Sequence, residues 1–196
     1  MTTFYLVRQA EAASTLDLPE ELWPLSEKGQ AQANQLIPIL GNLRIQYVYS
    51  AEDRRSLDTV LPFSQAYGLN ILVLSELREH NIKAHDVSLQ RQAWANFDFS
   101  LPSSESNRVA QRRIVLSIHS LMLHHLNDEV AVVMPTCLIA LFLNAIDPQF
   151  TFDQWQEQGI PDMIRLVRGE YNISWTRIDH ARPLLALVRN QEHPSL

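Results

Sequence analysis

Short apolar runs alternate along this chain with longer segments whose apolar residues recur at helical spacing. That alternation predicts an α/β domain, because strands buried on both faces read as continuous apolar runs. The first run, residues 4–7, is closed by Arg8 and predicts a buried strand. A polar stretch with Pro19 and Pro24 follows. Ser26-Glu27-Lys28-Gly29 then reads as a helix start with Ser26 as N-cap, since its hydroxyl can accept from the first free backbone N–H groups. Leu36, Ile39 and Leu40 give that helix an apolar face. Pro38 predicts a kink or a stop, because it lacks an N–H and crowds the preceding turn.

The pattern continues with a strand over residues 46–49 and a helix over about 53–67 that contains Pro62 and ends at Gly68. A third strand is predicted at residues 71–74. Residues 80–104 lose any clean period and hold Trp94, Phe97 and Phe99 ahead of Pro102-Ser103-Ser104, which predicts a partly helical excursion that covers something. Val115, Ile118, Met122 and Leu126 mark a long helix. A fourth strand at 130–134, a buried helix at 136–145, and strands at 163–167 and 171–178 near a sheet edge complete the chain. The expectation is one domain over residues 1–196, a three-layer sandwich with a mostly parallel central sheet flanked by helices. Strand tips at Arg8, Ser50, Glu79 and Met134 would converge at one end, where α/β proteins place their sites.

Composition narrows the function classes. The chain has 196 residues, 46% of them hydrophobic, enough for one core. A net charge of −6 without any run of Lys or Arg argues against a nucleic-acid surface. One cysteine, Cys137, excludes an intramolecular disulfide and fits a reducing, cytoplasmic setting. The N-terminus lacks the charged region and long apolar stretch of a signal peptide, and the longest apolar run, near residues 137–143, is too short to span a bilayer.

Six short motifs carry the candidate chemistry: Leu6-Val7-Arg8-Gln9-Ala10-Glu11, Leu25-Ser26-Glu27-Lys28-Gly29-Gln30-Ala31-Gln32-Ala33, Ser50-Ala51-Glu52-Asp53-Arg54-Arg55-Ser56-Leu57-Asp58-Thr59, Leu77-Arg78-Glu79, Glu105-Ser106 ahead of Arg112 and Arg113, and Val133-Met134-Pro135-Thr136. Each is weak alone. In this order, across roughly residues 3–185, they resemble the histidine phosphatase (phosphoglycerate mutase-like) superfamily. The resemblance implies that family's fold and a phosphate site. In the family a first histidine attacks the phosphoryl group, a second histidine and two arginines hold its oxygens, and a carboxylic acid protonates the leaving group.

Carried over residue by residue, the resemblance retains Arg8 and Arg55 as phosphate-binding residues and Glu79 at the acid position. Gln9 stands where the nucleophilic histidine belongs, and an amide nitrogen is not a nucleophile. Pro135 stands where the second histidine belongs and offers neither a side-chain donor nor an N–H. Thr136 replaces a family glycine, and no glycine lies between Gly68 and Gly159.

Each residue also has a plainer reading. Arg8 or Arg55 alone would pass for a surface or salt-bridge arginine; together at matched positions they predict a shared anion pocket. Glu79 could pair with one of them and close that pocket, or leave it open. Of seven histidines, only His80, directly after Glu79, is placed to stand in for a lost one. No pair of histidines has a persuasive zinc spacing, so neither metal nor cofactor is expected. A cysteine phosphatase would need an arginine where Leu143 stands, so Cys137 is expected to pack in the core. Trp94, Phe97 and Phe99 would either line a lid over the site or form a satellite core.

The expected function is that of a catalytically inactive histidine-phosphatase-fold protein, a pseudo-phosphatase, with a remnant pocket for phosphate or a phosphorylated small molecule. One alternative is a residual phosphomonoester hydrolase that uses water oriented by Gln9 with Glu79 as acid/base. Another is a structural partner of an active paralogue. Membrane and nucleic acid are not expected among its partners.

Overall fold

The computed structural model describes residues 1–15, 17–80, 86–102, 104–157, 162–169 and 172–178. Strands β1 (Thr2–Arg8), β2 (Ile45–Ser50), β3 (Ile71–Val73), β4 (Glu129–Met134), β5 (Met163–Arg168) and β6 (Ile173–Ile178) form one sheet in the order β3-β2-β4-β1-β5-β6. The first four in that order are mutually parallel, whereas β5 runs antiparallel to β1 and β6 antiparallel to β5. Registry pairs Arg8 with Met134 and Ser50 with Val133, so the C-terminal ends of β1, β2 and β4 lie together.

Alternation along β1 explains the layers. Phe4 and Leu6 join a core with Ile114, Ile118 and Met122 of α4 (Asn107–His124) and Leu138 and Phe142 of α5 (Thr136–Ile146). Tyr5 and Val7 point the other way, into a core with Leu36 and Leu40 of α1 (Glu27–Gly41) and Val60 and Phe63 of α2 (Arg54–Tyr67). The result is the α/β sandwich with a mostly parallel sheet that the periodicity predicts. Among the described residues, no helix is long and apolar enough to cross a membrane.

Local chemistry sets the helix ends. Ser26 accepts from the Gly29 N–H, Asp53 from Ser56, and Ser106 from Val109. Gly68 closes α2 in the left-handed conformation, φ 65°. Gly29 is required for a different reason. A Cβ there would sit 2.0 Å from the Glu11 carbonyl oxygen, where the loop after β1 crosses the start of α1. Gly29→Ala is therefore expected to cost about 2–3 kcal/mol, the upper part of the overpacking range, because backbone rather than a flexible side chain must yield. Urea unfolding measures it; a change under about 0.5 kcal/mol, the size of an ordinary surface effect, would contradict that reading.

Four sequence expectations need correction. Helix α1 runs through Pro38 to Gly41. Pro38 falls in the last turn, so only its own missing N–H is lost, and its carbonyl still accepts from Asn42. Leu126 lies beyond the end of α4 and is exposed. Of the two tail strands, β6 forms the sheet edge as expected, and β5 lies one place inside it, between β1 and β6. Glu79 is not a strand tip: β3 stops at Val73 and a 3-10 turn, Ser75–Leu77, carries the chain onward. The predicted strand from residue 171 starts at Ile173, and residues 170–171 lie outside the described residues.

Candidate functional site

A cavity of about 340 Å³ opens at the C-terminal ends of β1 and β4. Arg8, Gln9, Arg55 and Glu79 all line it, as do His80, Asn107, Thr136 and Cys137. Arg8 ends β1 and Gln9 follows it, its N–H donating to the Met134 carbonyl at 3.3 Å. Arg55 sits in the first turn of α2, two residues after the cap Asp53. Pro135 is buried as the N-cap residue of α5 and is not among the lining residues; Thr136 and Cys137 behind it are. It supplies no side-chain hydrogen bond to the helix it starts.

The acidic partners of Arg55 are Glu20 at 3.3 Å and Asp53 at 3.6 Å, so Glu79 is not the group that engages it. Its Nε is buried and faces Asp53 Oδ1 at 3.6 Å, with no acceptor in hydrogen-bond range among the described residues. Burial pushes the Arg8 guanidinium below its ordinary pKa, and the charge of Asp162 opposes that shift. Burial raises the Asp53 carboxyl, against hydrogen bonds from Ser56.

Ser56 Oγ lies 2.8 Å from Asp53 Oδ2 and 3.1 Å from Gln9 Oε1. One hydroxyl proton cannot serve two acceptors at once. The shorter contact is to the carboxylate; a Gln9 amide turned end for end would donate to Ser56 and satisfy all three groups.

Glu79 instead gathers its own neighbours. Its Oε1 is 2.8 Å from His80 Nδ1 and accepts from Cys137 Sγ at 2.7 Å. His80 Nε2 is 2.9 Å from Asn107 Oδ1. Burial alone would raise the Glu79 pKa, but hydrogen bonds and charge from His80, with help from Cys137, hold it down at about 2. Burial also works against a charged His80, and Glu79 and Asn107 overcome it and raise its pKa. Burial and the Glu79 charge push the Cys137 thiol well up.

A family model for the histidine phosphatase superfamily (branch 1) matches residues 4–182. The chain belongs to the histidine phosphatase superfamily.

Solved members share the architecture. The Bacillus stearothermophilus protein YhfR is 18% identical with a TM-score of 0.76, over 93% of this chain and 100% of that one. Mycobacterial glucosyl-3-phosphoglycerate phosphatase is 19% identical with a TM-score of 0.69, over 89% and 96%. Phosphoserine phosphatase from Entamoeba histolytica, solved with 3-phosphoglyceric acid, is 14% identical with a TM-score of 0.71, over 90% and 95%. At these identities the likeness is one of fold. No curated protein matches the sequence.

Within this histidine phosphatase fold the excursion supplies one cavity wall. Helix α3 (Val87–Ala95) contributes Val87, Gln90, Ala93 and Trp94, and α6 (Phe152–Gln156) contributes Trp155 and Gln156. Trp94 and Trp155 stack at 5.6 Å, and Phe97 and Phe152 meet Trp94 edge-on. Of the three aromatics of the excursion, Trp94 lines the cavity, and Trp94 and Phe97 pack against the main core rather than forming a satellite one; Phe97 and Phe99 are not among the lining residues. Residues 81–85 and 103 of the excursion lie outside the described residues.

Sequence reasoning missed Glu20, Asp53, Asn107 and the role of Cys137. Glu20 sits in a 3-10 turn, Glu20–Leu22, with no motif to mark it. Asp53 was read only as the approximate start of a helix, neither as its cap nor as an arginine partner. Cys137 was assigned to the core because no arginine stands at position 143, and it is buried there. Its contact with Glu79, 58 positions away, leaves no local signal.

Proposed function

We propose that this chain is a histidine phosphatase that no longer transfers phosphoryl groups and retains an anion pocket. The observation that carries the reading is the lining of one cavity by Arg8, Arg55, Gln9 and Glu79, with Pro135 at the adjoining helix start. In this reading Gln9 and Pro135 occupy the two histidine positions. No group left at Gln9 can form a phosphorylated intermediate. Glu79, held ionised down to about pH 2, carries no proton for a leaving group near neutrality. That also weighs against the residual-hydrolase alternative, since so weakly basic a carboxylate is a poor general base for water.

Arg8 and Arg55 support anion binding. Arg55 Nε is buried and, among the described residues, has only an ion-pair contact to Asp53 at 3.6 Å and no hydrogen bond; an oxyanion in the cavity would supply one. The mycobacterial relative was solved with VO3 and the Entamoeba enzyme with 3-phosphoglyceric acid, both oxyanions. The retained Glu20 contact competes for the same arginine, so affinity for bare phosphate is expected to be weak. A cytoplasmic setting accompanies this reading, because its single thiol needs no oxidising compartment.

The test is thermal unfolding of the purified protein in rising phosphate or vanadate, beside Arg55→Ala. Protection in the wild type that disappears in the variant is the expected result. Equal response in both proteins would remove the pocket from the proposal. Phosphomonoesterase assays beside Arg8→Ala address the alternative: turnover that vanishes with Arg8 would overturn the loss of catalysis.

A further inference from the structure

We infer that Glu79, His80 and Cys137 form a binding site for one soft divalent transition metal ion, of the zinc or cobalt class. The donor atoms are one carboxylate oxygen, one imidazole nitrogen and one sulfur, all within 4.8 Å of one another. They combine three of the side-chain types that hold zinc, and the thiolate selects against magnesium and calcium. Each of the three also lines the cavity, which leaves a fourth coordination position open to it. Three protein ligands and an open position is the layout of catalytic rather than structural zinc sites.

A second, independent feature supports the histidine as a ligand. Nδ1 faces the cluster, while Nε2 is held by Asn107 Oδ1 at 2.9 Å. A carbonyl oxygen on the outer ring nitrogen fixes the tautomer and presents the inner nitrogen's lone pair, as the outer partners of metal-bound histidines do. Asn107 is itself buried at the start of α4, so the ring is not free to turn away.

The neighbouring arginines do not oppose this site as they would oppose a bare cation. With protons in place, the cluster holds an imidazolium, a carboxylate and a neutral thiol, which sum to zero. With a divalent ion in place of two protons it holds a neutral imidazole, a carboxylate, a thiolate and the ion, which again sum to zero. Arg8 and Arg55 therefore face no added net charge.

Geometry requires a small adjustment. The carboxylate oxygen is 2.8 Å from Nδ1 and 2.7 Å from Sγ, as hydrogen bonds demand. Metal bonds of the zinc type set ligand atoms about 3.3–3.8 Å apart, so Oε1 must withdraw by roughly 0.5–1 Å, and Nδ1 and Sγ, within 4.8 Å of each other, must close by about 1 Å. Rotation about the Glu79 and Cys137 side-chain bonds supplies these movements.

The experiment is a titration of the reduced full chain with Co(II), followed by displacement with Zn(II). Cys137 is the chain's single cysteine, so any thiolate-to-metal charge-transfer absorption reports this site alone. One equivalent is expected, displaced by Zn(II) and untouched by excess Mg(II). Cys137→Ser, nearly isosteric and still able to donate to Glu79, should abolish the absorption while unfolding at a similar temperature. His80→Asn should weaken binding at least about tenfold, and Asn107→Leu about 10–100-fold, the range seen when an outer partner of a metal-bound histidine is lost. No charge-transfer band in the wild type would overturn the proposal, and so would unchanged affinity in folded His80→Asn, which would leave a lone thiol as the binder. Neither result bears on phosphate protection, so this site and the anion pocket fail separately.

Discussion

The double variant Gln9→His, Pro135→His is expected to turn over an aryl phosphomonoester at least about a hundredfold faster than the wild type. The magnitude follows from what each position lacks. A neutral imidazole at position 9 would supply the nucleophile that an amide cannot. A histidine at 135 would place a donor at the start of α5, beside Thr136, and removal of one such donor commonly costs about 10²–10³ in rate. Groups that act as a unit lose most of their effect when any one is missing, so each single variant should gain far less than the pair. The choice of ester matters. An aryl leaving group departs without a proton, whereas an alkyl leaving group needs one, and Glu79 has none to give near neutrality. Alkyl phosphates should therefore stay slow in the double variant. Steady-state assays with both esters, and with Arg8→Ala added as a background control, read the outcome. A folded double variant with no turnover above that control would mean that Arg8 and Arg55 no longer frame a phosphoryl group, and the anion pocket would lose its main argument.

How much of this was legible in the sequence depends on whether a feature is periodic or a matter of convergence. The central strands β1 and β4 read out because burial on both faces makes them continuous apolar runs, as residues 130–134 show. The cap at Ser26 read out because it precedes a helical period, whereas Asp53 and Ser106, which cap α2 and α4, were not read as caps. Pro38 misled, since its cost depends on its distance from the helix end, and periodicity does not fix that end to within a turn. The end of the parallel sheet was misplaced for a related reason. Glu79 reaches the cavity through a 3-10 turn of three residues, too short to leave a pattern. The partners of the charged groups were the least legible. Arg55 is held by Glu20, 35 positions away, and Glu79 by Cys137, 58 positions away, so nothing local announces either contact. The choice left open for Glu79, paired with arginine or free, was thus resolved by a third arrangement with His80.

That arrangement makes stability depend on pH in a way that distinguishes it from an ordinary surface pair. Glu79 ordinarily titrates at 4.5 and in the folded chain at about 2. A depressed carboxylate stabilises the fold above its unfolded pKa, and the contribution is lost as pH falls from 4.5 through 2. His80 is raised above 6.5, so its contribution is present below that value and is lost as pH rises through the folded pKa. Both shifts describe one ion pair and are counted once. The pair should thus contribute most on a plateau between about 4.5 and 6.5, with a decline on either side. A shift from 4.5 to about 2 corresponds to about 3 kcal/mol at roughly 1.36 kcal/mol per pH unit, and only 18% of the Glu79 side chain is exposed, so solvent screening removes little of it. Glu79→Ala should therefore destabilise by about 3 kcal/mol near pH 5.5 by stranding a buried imidazolium, and by clearly less near pH 8, where His80 can shed its proton and relieve the uncompensated charge. Denaturant unfolding of both proteins across this range, with a chelator present to keep the cluster metal-free, gives the difference directly. A penalty that is constant from pH 5 to pH 9 would show that Glu79 acts through packing and its neutral hydrogen bonds, and that His80 is not the cation in this cluster.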